Sequence, residues 1–434
     1  MKIYYYTFGC KVNQYETENL RQNFIRRGFE VATRIKDAEV CLINTCTVTS
    51  TADSKCRQLI HKIKKENPRC IIILTGCMPQ AFEEDAISLG CDIITGASDK
   101  TVIPDLLDEY LSRREKIVRI SPHTKGEKFE RMSNSEVVSK TRAYIKIQDG
   151  CDQYCSYCII PYARGHIRSK SLEDLKIEVC KLAESGHREI ILVGINLCCY
   201  GRDLMGDIRL VDAIETACSV EGIDRVRLGS LEPEMISESD IKRMANQPKL
   251  CPQFHLSLQS GCNKTLKSMN RKYTAEEYEE LVKRLRENFP DCAITTDIMV
   301  GFAGETEEDF RESVEFVKKI GFARCHIFPY SEREGTVAAK RDGQVPKVER
   351  EKRARIMEEI CQKSESDFLE KMVGKTVRVL FERENCTDFH QGYSENYTHI
   401  KIPRKNSLKS LRREIFCVII NGYEKNYCTG EIIQ

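Results

Sequence analysis

Apolar and polar positions along the first hundred residues follow two alternating rhythms. Short apolar runs at Ile3 to Phe8, Ala38 to Asn44, Cys70 to Thr75 and Asp92 to Thr95 read as strands. Amphipathic stretches at Glu16 to Arg27, Ala52 to Glu66, Phe82 to Leu89 and Thr101 to Arg113 read as helices between them. This alternation predicts βαβ units and a parallel sheet. From Ser121 to Lys140 the chain turns polar, with Pro122, Gly126 and the triplet Ser133 to Ser135, and reads as a connection. The rhythm then returns at a larger scale. Strand-like runs at Ala143 to Ile147, Glu189 to Val193, Asp224 to Leu228, Phe254 to Leu258, Ala293 to Val300 and Arg324 to Phe328 alternate with helical patterns at Leu172 to Glu184, Val211 to Val220, Ser239 to Asn246, Ala275 to Asn288 and Glu307 to Ile320. Six β/α units predict a partial TIM-type (β/α)6 barrel whose chemistry sits at the strand carboxyl ends. A charged helix from about Lys347 to Lys371 closes this region. Five short β-like runs follow, at Thr376 to Glu382, Gly392 to Tyr393, Thr398 to Ile402, Ile415 to Ile420 and Tyr427 to Ile432, and predict a small antiparallel, OB-like β-barrel. The expected fold class is therefore α/β multidomain: an N-terminal parallel α/β domain over 1–113, a linker over 114–140, a barrel core over 141–370 and the terminal barrel over 371–434.

Charge changes this picture only locally. The 68 basic and 66 acidic residues nearly cancel, so no global field advertises nucleic acid. From Lys371 onward, however, the chain nets +4 while the remainder nets −2. Lys401, Arg404, Lys405, Lys409, Arg412 and Arg413 gather there, with Tyr393, Tyr397 and His399 interleaved. Basic groups beside aromatics suit an RNA backbone and its bases; a solvated basic loop is the simpler alternative. The N-terminus lacks a signal-like apolar region and no run approaches the ~18 residues of a membrane span, so a cytoplasmic protein without membrane association is expected.

The cysteines carry the chemistry. With 22 Cys in 434 residues, the spacing C-x3-C-x2-C at Cys151, Cys155 and Cys158 is expected by accident only about 0.06 times. The trio follows a strand, in a loop where three sulfurs can converge. A 4Fe-4S cubane normally takes four thiolates, so three leave one iron open for a substrate. A closed zinc site would need a fourth ligand, for which His166 is the nearest candidate. Cys10, Cys46 and Cys77 each follow one of the first three strand runs. In a parallel sheet those carboxyl ends share one edge, so a second three-cysteine cluster can form there, or the placement is coincidental. Cys41, Cys56, Cys70 and Cys91 fall inside elements and read as packing residues.

Small or polar residues also recur where the later strands end. Gly194-Ile195-Asn196, Gly229-Ser230-Leu231-Glu232-Pro233, Ser257 to Gly261 and Asp297 to Phe302 mark these ends. Glycine lets a ligand approach the backbone, and Asn196, Ser230, Glu232, Gln259 and Asp297 can bind hydroxyls or amines. Singly, each could be a turn or a cap; together they favour a ligand site.

Longer strings carry a family resemblance. Cys151-x3-Cys155-x2-Cys158 with Tyr157 resembles the signature of radical S-adenosylmethionine enzymes. Cys158 to Gly165 (CIIPYARG), Thr7 to Glu16 (TFGCKVNQYE), Asn44 to Thr49 (NTCTVT), Thr75-Gly76-Cys77 and His255 to Gly261 (HLSLQSG) resemble the methylthiotransferases within that superfamily, over nearly the whole chain and including a TRAM-like terminal barrel. The two N-terminal strings look like the branch acting on threonylcarbamoyladenosine in tRNA. The resemblance implies two 4Fe-4S clusters, on Cys151, Cys155 and Cys158 and on Cys10, Cys46 and Cys77, with S-adenosylmethionine on the open iron near Tyr157 and the barrel-edge residues. One electron would cleave the sulfonium to a 5′-deoxyadenosyl radical, and the adenosine at position 37 would gain a 2-methylthio group. It also implies a tRNA anticodon stem-loop as partner, an electron donor, a sulfur source and a monomer. Related enzymes acting on isopentenyladenosine or on a ribosomal protein are alternatives, as is an RNA-binding protein stapled by its clusters. Two departures from the family pattern stand out. Ala303 replaces a proline in the Gly-Phe-Pro-Gly-Glu turn, and Cys198-Cys199 replace small residues; altered loop rigidity and oxidation sensitivity are expected rather than lost chemistry.

Overall fold

The structure, a computed structural model, describes residues 1–132, 141–382, 388–404 and 410–433. The first sheet contains β1 (Lys2–Thr7), β2 (Glu30–Val31), β3 (Val40–Thr45), β4 (Ile71–Gly76), β5 (Ile93–Thr95) and β6 (Ile117–Arg119). Every pairing is parallel, in the order β2-β1-β3-β4-β5-β6. Both central strands, β3 and β4, are buried at all six positions. That is the cost of covering both faces, and it explains their unbroken Val, Ile and Leu runs. α1 (Lys11–Arg26) and α5 (Ile103–Arg113) pack Leu20, Phe24, Ile103 and Leu107 on one face, and α2 (Ser50–Glu66) packs Cys56, Ile60 and Ile63 on the other. Short helices α3 (Cys77–Ala81) and α4 (Glu83–Ser88) follow β4. Cys41, Cys56, Cys70 and Cys91 are buried among these core residues, as packing required.

The stretch read as a linker contributes more than a connection. Its residues Ile117–Arg119 form β6 at the sheet edge, an exposed strand too short to show period-two patterning. Met132 accepts a hydrogen bond from the Tyr15 hydroxyl at 2.7 Å, and Glu127 pairs with Arg168 at 2.9 Å.

In the core, β7 (Arg142–Lys146), β10 (Glu189–Val193), β11 (Arg225–Leu228), β12 (Ser230–Leu231), β13 (Gln253–Leu256), β14 (Ala293–Val300) and β15 (Arg324–Pro329) are all parallel; a small antiparallel pair, β8 (Gln148–Asp149) and β9 (Arg168–Ser169), flanks the cysteine loop. Only Gly229 separates β11 from β12, so they are one bent strand, and six strand positions run from β7 to β15. This is the expected partial barrel. Its outer helices are α7 (Leu172–Glu184), α8 (Leu210–Cys218), α9 (Glu238–Ala245), α10 (Asn263–Ser268), α11 (Ala275–Asn288), α12 (Glu307–Ile320) and α13 (Lys347–Glu370), with short α6 (Ile160–Arg164) after the loop. Ser171, Ser237, Thr274 and Thr306 cap four of them through backbone N–H groups.

The terminal barrel closes in the order β16-β17-β18-β20-β19, from Thr376–Phe381, Phe389–Ser394, His399–Pro403, Tyr427–Ile432 and Ile415–Glu424 respectively. It is not wholly antiparallel as expected: β18 and β20 pair in parallel, because closure brings the third and fifth strands together. Its seat on the core is polar. Arg225 donates to the carbonyls of Tyr393 (3.0 Å) and Arg378 (2.6 Å), and Arg227 to that of Glu395 (2.9 Å). Among the described residues no helix is long and apolar enough to cross a membrane.

Candidate active site

Cys10, Cys46 and Cys77 follow β1, β3 and β4, three adjacent strands of the sheet. Turns at Gly9 (φ 91°) and Gly76 (φ 108°) deliver two of them. Asn13 Nδ2 donates to the carbonyls of Phe8 and Thr45, both at 2.9 Å, and thereby ties the first two cysteine loops together. Thr45 Oγ1 accepts from the Met78 N–H at 3.2 Å and fixes the third. Burial pushes the Cys46 thiol up to about 12, with Cys77 and Cys10 near enough to add to it. Cys10 opens to solvent, but the surrounding protein raises its thiol too, against the pull of Arg164.

The packing at Gly9 leaves no room for a side chain. A Cβ there would lie 2.3 Å from Cys46 Cβ, in a left-handed backbone region, whereas Gly28 (φ 84°) has open space around it. Gly9→Ala is expected to cost about 3 kcal/mol or more and Gly28→Ala about 1 kcal/mol. Thermal unfolding of the metal-free proteins checks this; equal shifts in melting temperature would mean that backbone strain alone operates at Gly9.

Cys151, Cys155 and Cys158 lie half-buried in the loop after β8. Burial pushes the Cys151 thiol up to about 11 and raises Cys155 and Cys158 as well. Such thiols stay protonated at neutral pH until a metal displaces the proton. Two polar side chains already point at the sulfurs. Arg271 Nη1 donates to Cys155 Sγ at 3.3 Å and Asn196 Nδ2 to Cys151 Sγ at 3.8 Å. The other amide atom of Asn196, Oδ1, is buried without a partner among the described residues, which suits a ligand donor. Among the described residues no three His, Cys, Asp or Glu side chains close on a single ion, whereas a cubane takes thiolates spread over several irons. His166, the candidate fourth ligand of a zinc site, is engaged by Asp152 at 2.7 Å.

Of the residues expected beside the cluster, Glu232 pairs with buried Arg271. Burial raises the Glu232 carboxyl, against Arg271, and both Glu234 and Asp297 lie within electrostatic reach. Ser230 and Ser257 join hydroxyls at 2.8 Å. Gln259 stands at φ 65°, its N–H on the Asp297 carbonyl at 2.9 Å, and Asp297 pairs with His255 at 3.2 Å. Tyr157 packs edge-on against Phe302 at 6.3 Å and wedges the loop onto the Gly301 turn. Ala303 is buried in that turn, which Gly301 N–H to Glu305 (2.8 Å) and Glu305 to Arg353 (2.7 Å) hold without a proline. Cys198 and Cys199 are buried, and Cys198 Sγ accepts from the Glu232 N–H at 3.2 Å, so the pair supports the site from behind.

The two trios meet through α6, which begins two residues after Cys158 and ends at Arg164, whose Nε donates to Cys77 Sγ at 3.2 Å. Arg164 is fully buried and also binds Glu16 (2.5 Å), Asn13 (2.5 Å) and Asp149 (3.3 Å). Lys146 and Lys100 reach Glu16 at 3.0 and 3.3 Å. Sequence reasoning missed this ionic junction and Arg271. The available signals were polar Asn13 and Glu16 on a helix facing inward, and arginines placed just after each cysteine-rich or glycine-rich string.

In the terminal barrel, Lys401 sits over the Tyr427 ring at 3.8 Å, with His399 edge-on to that ring at 6.0 Å. Arg404 is exposed, Arg412 and Arg413 are half-buried, and Lys405 and Lys409 lie outside the described residues. Tyr393 and Tyr397, expected beside them for bases, stack at 4.6 Å and are covered by Arg142 (4.9 and 5.0 Å) and Arg227 (4.5 Å to Tyr397). They seat the barrel on the core because its strand-starting arginines need aromatic and carbonyl partners.

A partial parallel barrel with an open three-cysteine loop at its carboxyl edge defines a radical S-adenosylmethionine enzyme. The model of the Radical SAM superfamily matches residues 145–317, and that of Uncharacterized protein family UPF0004 matches residues 2–96. Threonylcarbamoyladenosine tRNA methylthiotransferase MtaB of Aquifex aeolicus is 39% identical over 92% of this chain and 96% of its own. The protein of the same name from Bacillus subtilis is 34% identical over 92% and 89%. A tRNA-2-methylthio-N(6)-dimethylallyladenosine synthase from a Thermoanaerobacter strain is 37% identical over 92% and 86%. The radical S-adenosylmethionine methyltransferase TsrM of Kitasatospora setae shares the fold, with a TM-score of 0.57 at 15% identity, over 78% of this chain and 75% of that one. The chain belongs to the radical S-adenosylmethionine methylthiotransferase family, and is an enzyme using a 4Fe-4S cluster and S-adenosylmethionine.

Proposed function

We propose that the protein transfers a methylthio group to N6-threonylcarbamoyladenosine beside the anticodon of tRNA. The observation that carries this is the meeting of two cysteine trios through Arg164, since a transferase of sulfur needs a second centre beside the one that cleaves S-adenosylmethionine. Cys151, Cys155 and Cys158 would hold the cluster with the open iron, and Cys10, Cys46 and Cys77 a second 4Fe-4S cluster. When bound, the clusters and S-adenosylmethionine supply the electron, the radical and the sulfur chemistry. The protein's own residues position and shield. Asn196 and Arg271 orient two sulfurs, and the Arg271–Glu232 pair braces the protein beside Cys155. Ser230, Gln259 and Asp297 would face the cofactor's polar groups, with Tyr157 bracing the loop. The division into 1–113, a connection over 114–140, 141–370 and 371–434 fits these roles. The terminal barrel would grip the anticodon stem-loop through Lys401, Arg404, Lys405, Arg412 and Arg413, with the single-stranded base splayed into the core. An electron donor and a sulfur source complete each turnover, in the cytoplasm and with the chain acting as a monomer.

Relatives named for the dimethylallyl substrate match almost as well, which keeps that nucleoside as a second reading. The deciding experiment is anaerobic reconstitution to about eight irons per chain, followed by reaction with tRNA bearing either nucleoside and mass spectrometry of the digest. Methylthio product from threonylcarbamoyladenosine alone is expected. Product from dimethylallyladenosine alone would replace the leading reading, and a maximum of four irons would remove the second cluster.

A further inference from the structure

Near Cys10 lie charges that neither cluster assignment uses. Lys11 follows Cys10 at the start of α1, is exposed, and makes no hydrogen bond or ion pair among the described residues. It lies within electrostatic reach of Asp297, Arg142 and Arg227, and it acts on His326 together with Asp297, His255 and Arg324. The ladder explains that grouping. His255 is opposite Thr295, Thr295 opposite Arg324, and Asp297 opposite His326, so these side chains share one face of β13, β14 and β15. Arg324 is exposed and likewise unpaired among the described residues. Of the other charges nearby, Arg227 and Arg142 pair with Glu189 and Glu382, Asp297 lies 3.2 Å from His255, and Glu365 is within electrostatic reach of Arg324. Two unpaired cations, one from the N-terminal domain and one from β15, thus lie within electrostatic reach of the same His326.

We propose that Lys11, together with Arg324, binds the carboxylate of the threonylcarbamoyl group and makes the enzyme select this nucleoside over dimethylallyladenosine. The inference rests on the substrate reading above and deepens it. The two N6 substituents differ in one decisive respect: one carries a carboxylate, the other is a hydrocarbon. A carboxylate completes charge-assisted hydrogen bonds with an ammonium and a guanidinium. A dimethylallyl group in the same space strips water from both cations and returns nothing, so rejection follows from the same residues as acceptance. A backbone phosphate of the anticodon loop offers the same anionic chemistry, and the test separates it.

The test uses reconstituted full-length protein, with iron contents matched between variants, and synthetic anticodon stem-loops. These carry threonylcarbamoyladenosine, its methyl ester, dimethylallyladenosine or plain adenosine at the modified position. The wild type is expected to bind the free acid about tenfold more tightly than the ester. Lys11→Gln should bring the acid to the level of the ester and raise KM about tenfold with kcat within about twofold, while Lys11→Arg restores most of the preference. Equal weakening of all four stem-loops would assign Lys11 to a phosphate and overturn the proposal. An undiminished preference for the acid in Lys11→Gln and in the double variant with Arg324→Gln would overturn it too, leaving the substrate reading intact if the wild type still converts threonylcarbamoyladenosine. Wild-type conversion of the dimethylallyl stem-loop alone would remove both.

Discussion

Cys155→Ala is expected to stop formation of 5′-deoxyadenosine from S-adenosylmethionine altogether, while affinity for tRNA is retained. The loss is complete because a cubane already one thiolate short has no spare ligand, and a second open iron leaves the cluster labile. Neither His166 nor Cys199 can stand in: the first is held by Asp152, and the second is buried against Met235 at 3.6 Å. The graded comparison is Arg271→Met. Arg271 touches Cys155 Sγ, Glu232 and the Ser257 carbonyl, so its removal disturbs the orientation and charge of the site without removing a ligand. A loss of about 10–100-fold in cleavage is expected, typical for a partner one step behind the metal. Iron content, visible absorption and 5′-deoxyadenosine yield per chain measure both. Should Cys155→Ala retain cleavage, the open cluster does not sit on this loop; should Arg271→Met match it in severity, the arginine is more than a positioning residue.

Most of the architecture was legible from hydrophobic rhythm. Leu172–Glu184, Ala275–Asn288, Glu307–Ile320, Glu189–Val193 and Ala293–Val300 have the expected bounds, because long amphipathic helices carry strong periodicity and buried strands carry continuous or alternating apolar runs. Elements that fail this test are short or polar. β6 has three residues at an exposed edge, α6 five residues opened by a proline, and α10 six residues. The cysteines were legible because each follows a strand, where an α/β sheet collects ligands. What surrounds them was not. Asn13, Glu16, Lys100, Lys146 and Arg164 are buried charged or amide side chains, and pattern reasoning assigns such residues to the surface. Their long-range partners lie 31 to 151 positions away in sequence, for example Asn44 with the Asn13 carbonyl and Arg164 with Asn13. Only the folded chain brings those partners together. The two stacked tyrosines, interleaved with basic residues in the sequence, also pack under Arg142 and Arg227 where the barrel meets the core, contacts that the sequence alone does not reveal.

Arg164→Leu is expected to destabilise the protein by about 3–5 kcal/mol, the cost of breaking a buried ion pair from one side. Leucine fills much of the volume, so the loss reports charge rather than a cavity. Arg164 reaches Glu16 through both terminal nitrogens and Asp149 through one, all at under a tenth exposure, and no water can replace it. Burial pushes the Glu16 carboxyl up, but Arg164, Lys100 and Lys146 overcome it and hold it well below the usual range; Lys146, Arg164 and Arg168 do the same for Asp149. The sign of the pH dependence follows. A carboxyl depressed in the folded state contributes stability that is full above its unfolded pKa of about 4 and is lost as pH falls toward the depressed value. Wild-type stability should therefore begin to fall only below about pH 4 on account of these groups. Arg164→Leu weakens both depressions and should flatten that acid limb as well as lower the plateau. The same arginine donates to Cys77, so, on the proposed two-cluster reading, iron retention by the N-terminal trio should fall with stability. Urea unfolding of the metal-free protein between pH 3 and 8 measures the first effect, and a double-mutant cycle with Glu16→Gln the coupling, expected at about 1–3 kcal/mol. Strict additivity, with an unchanged acid limb, would show that the junction packs the N-terminal domain against the core without acting through its charges.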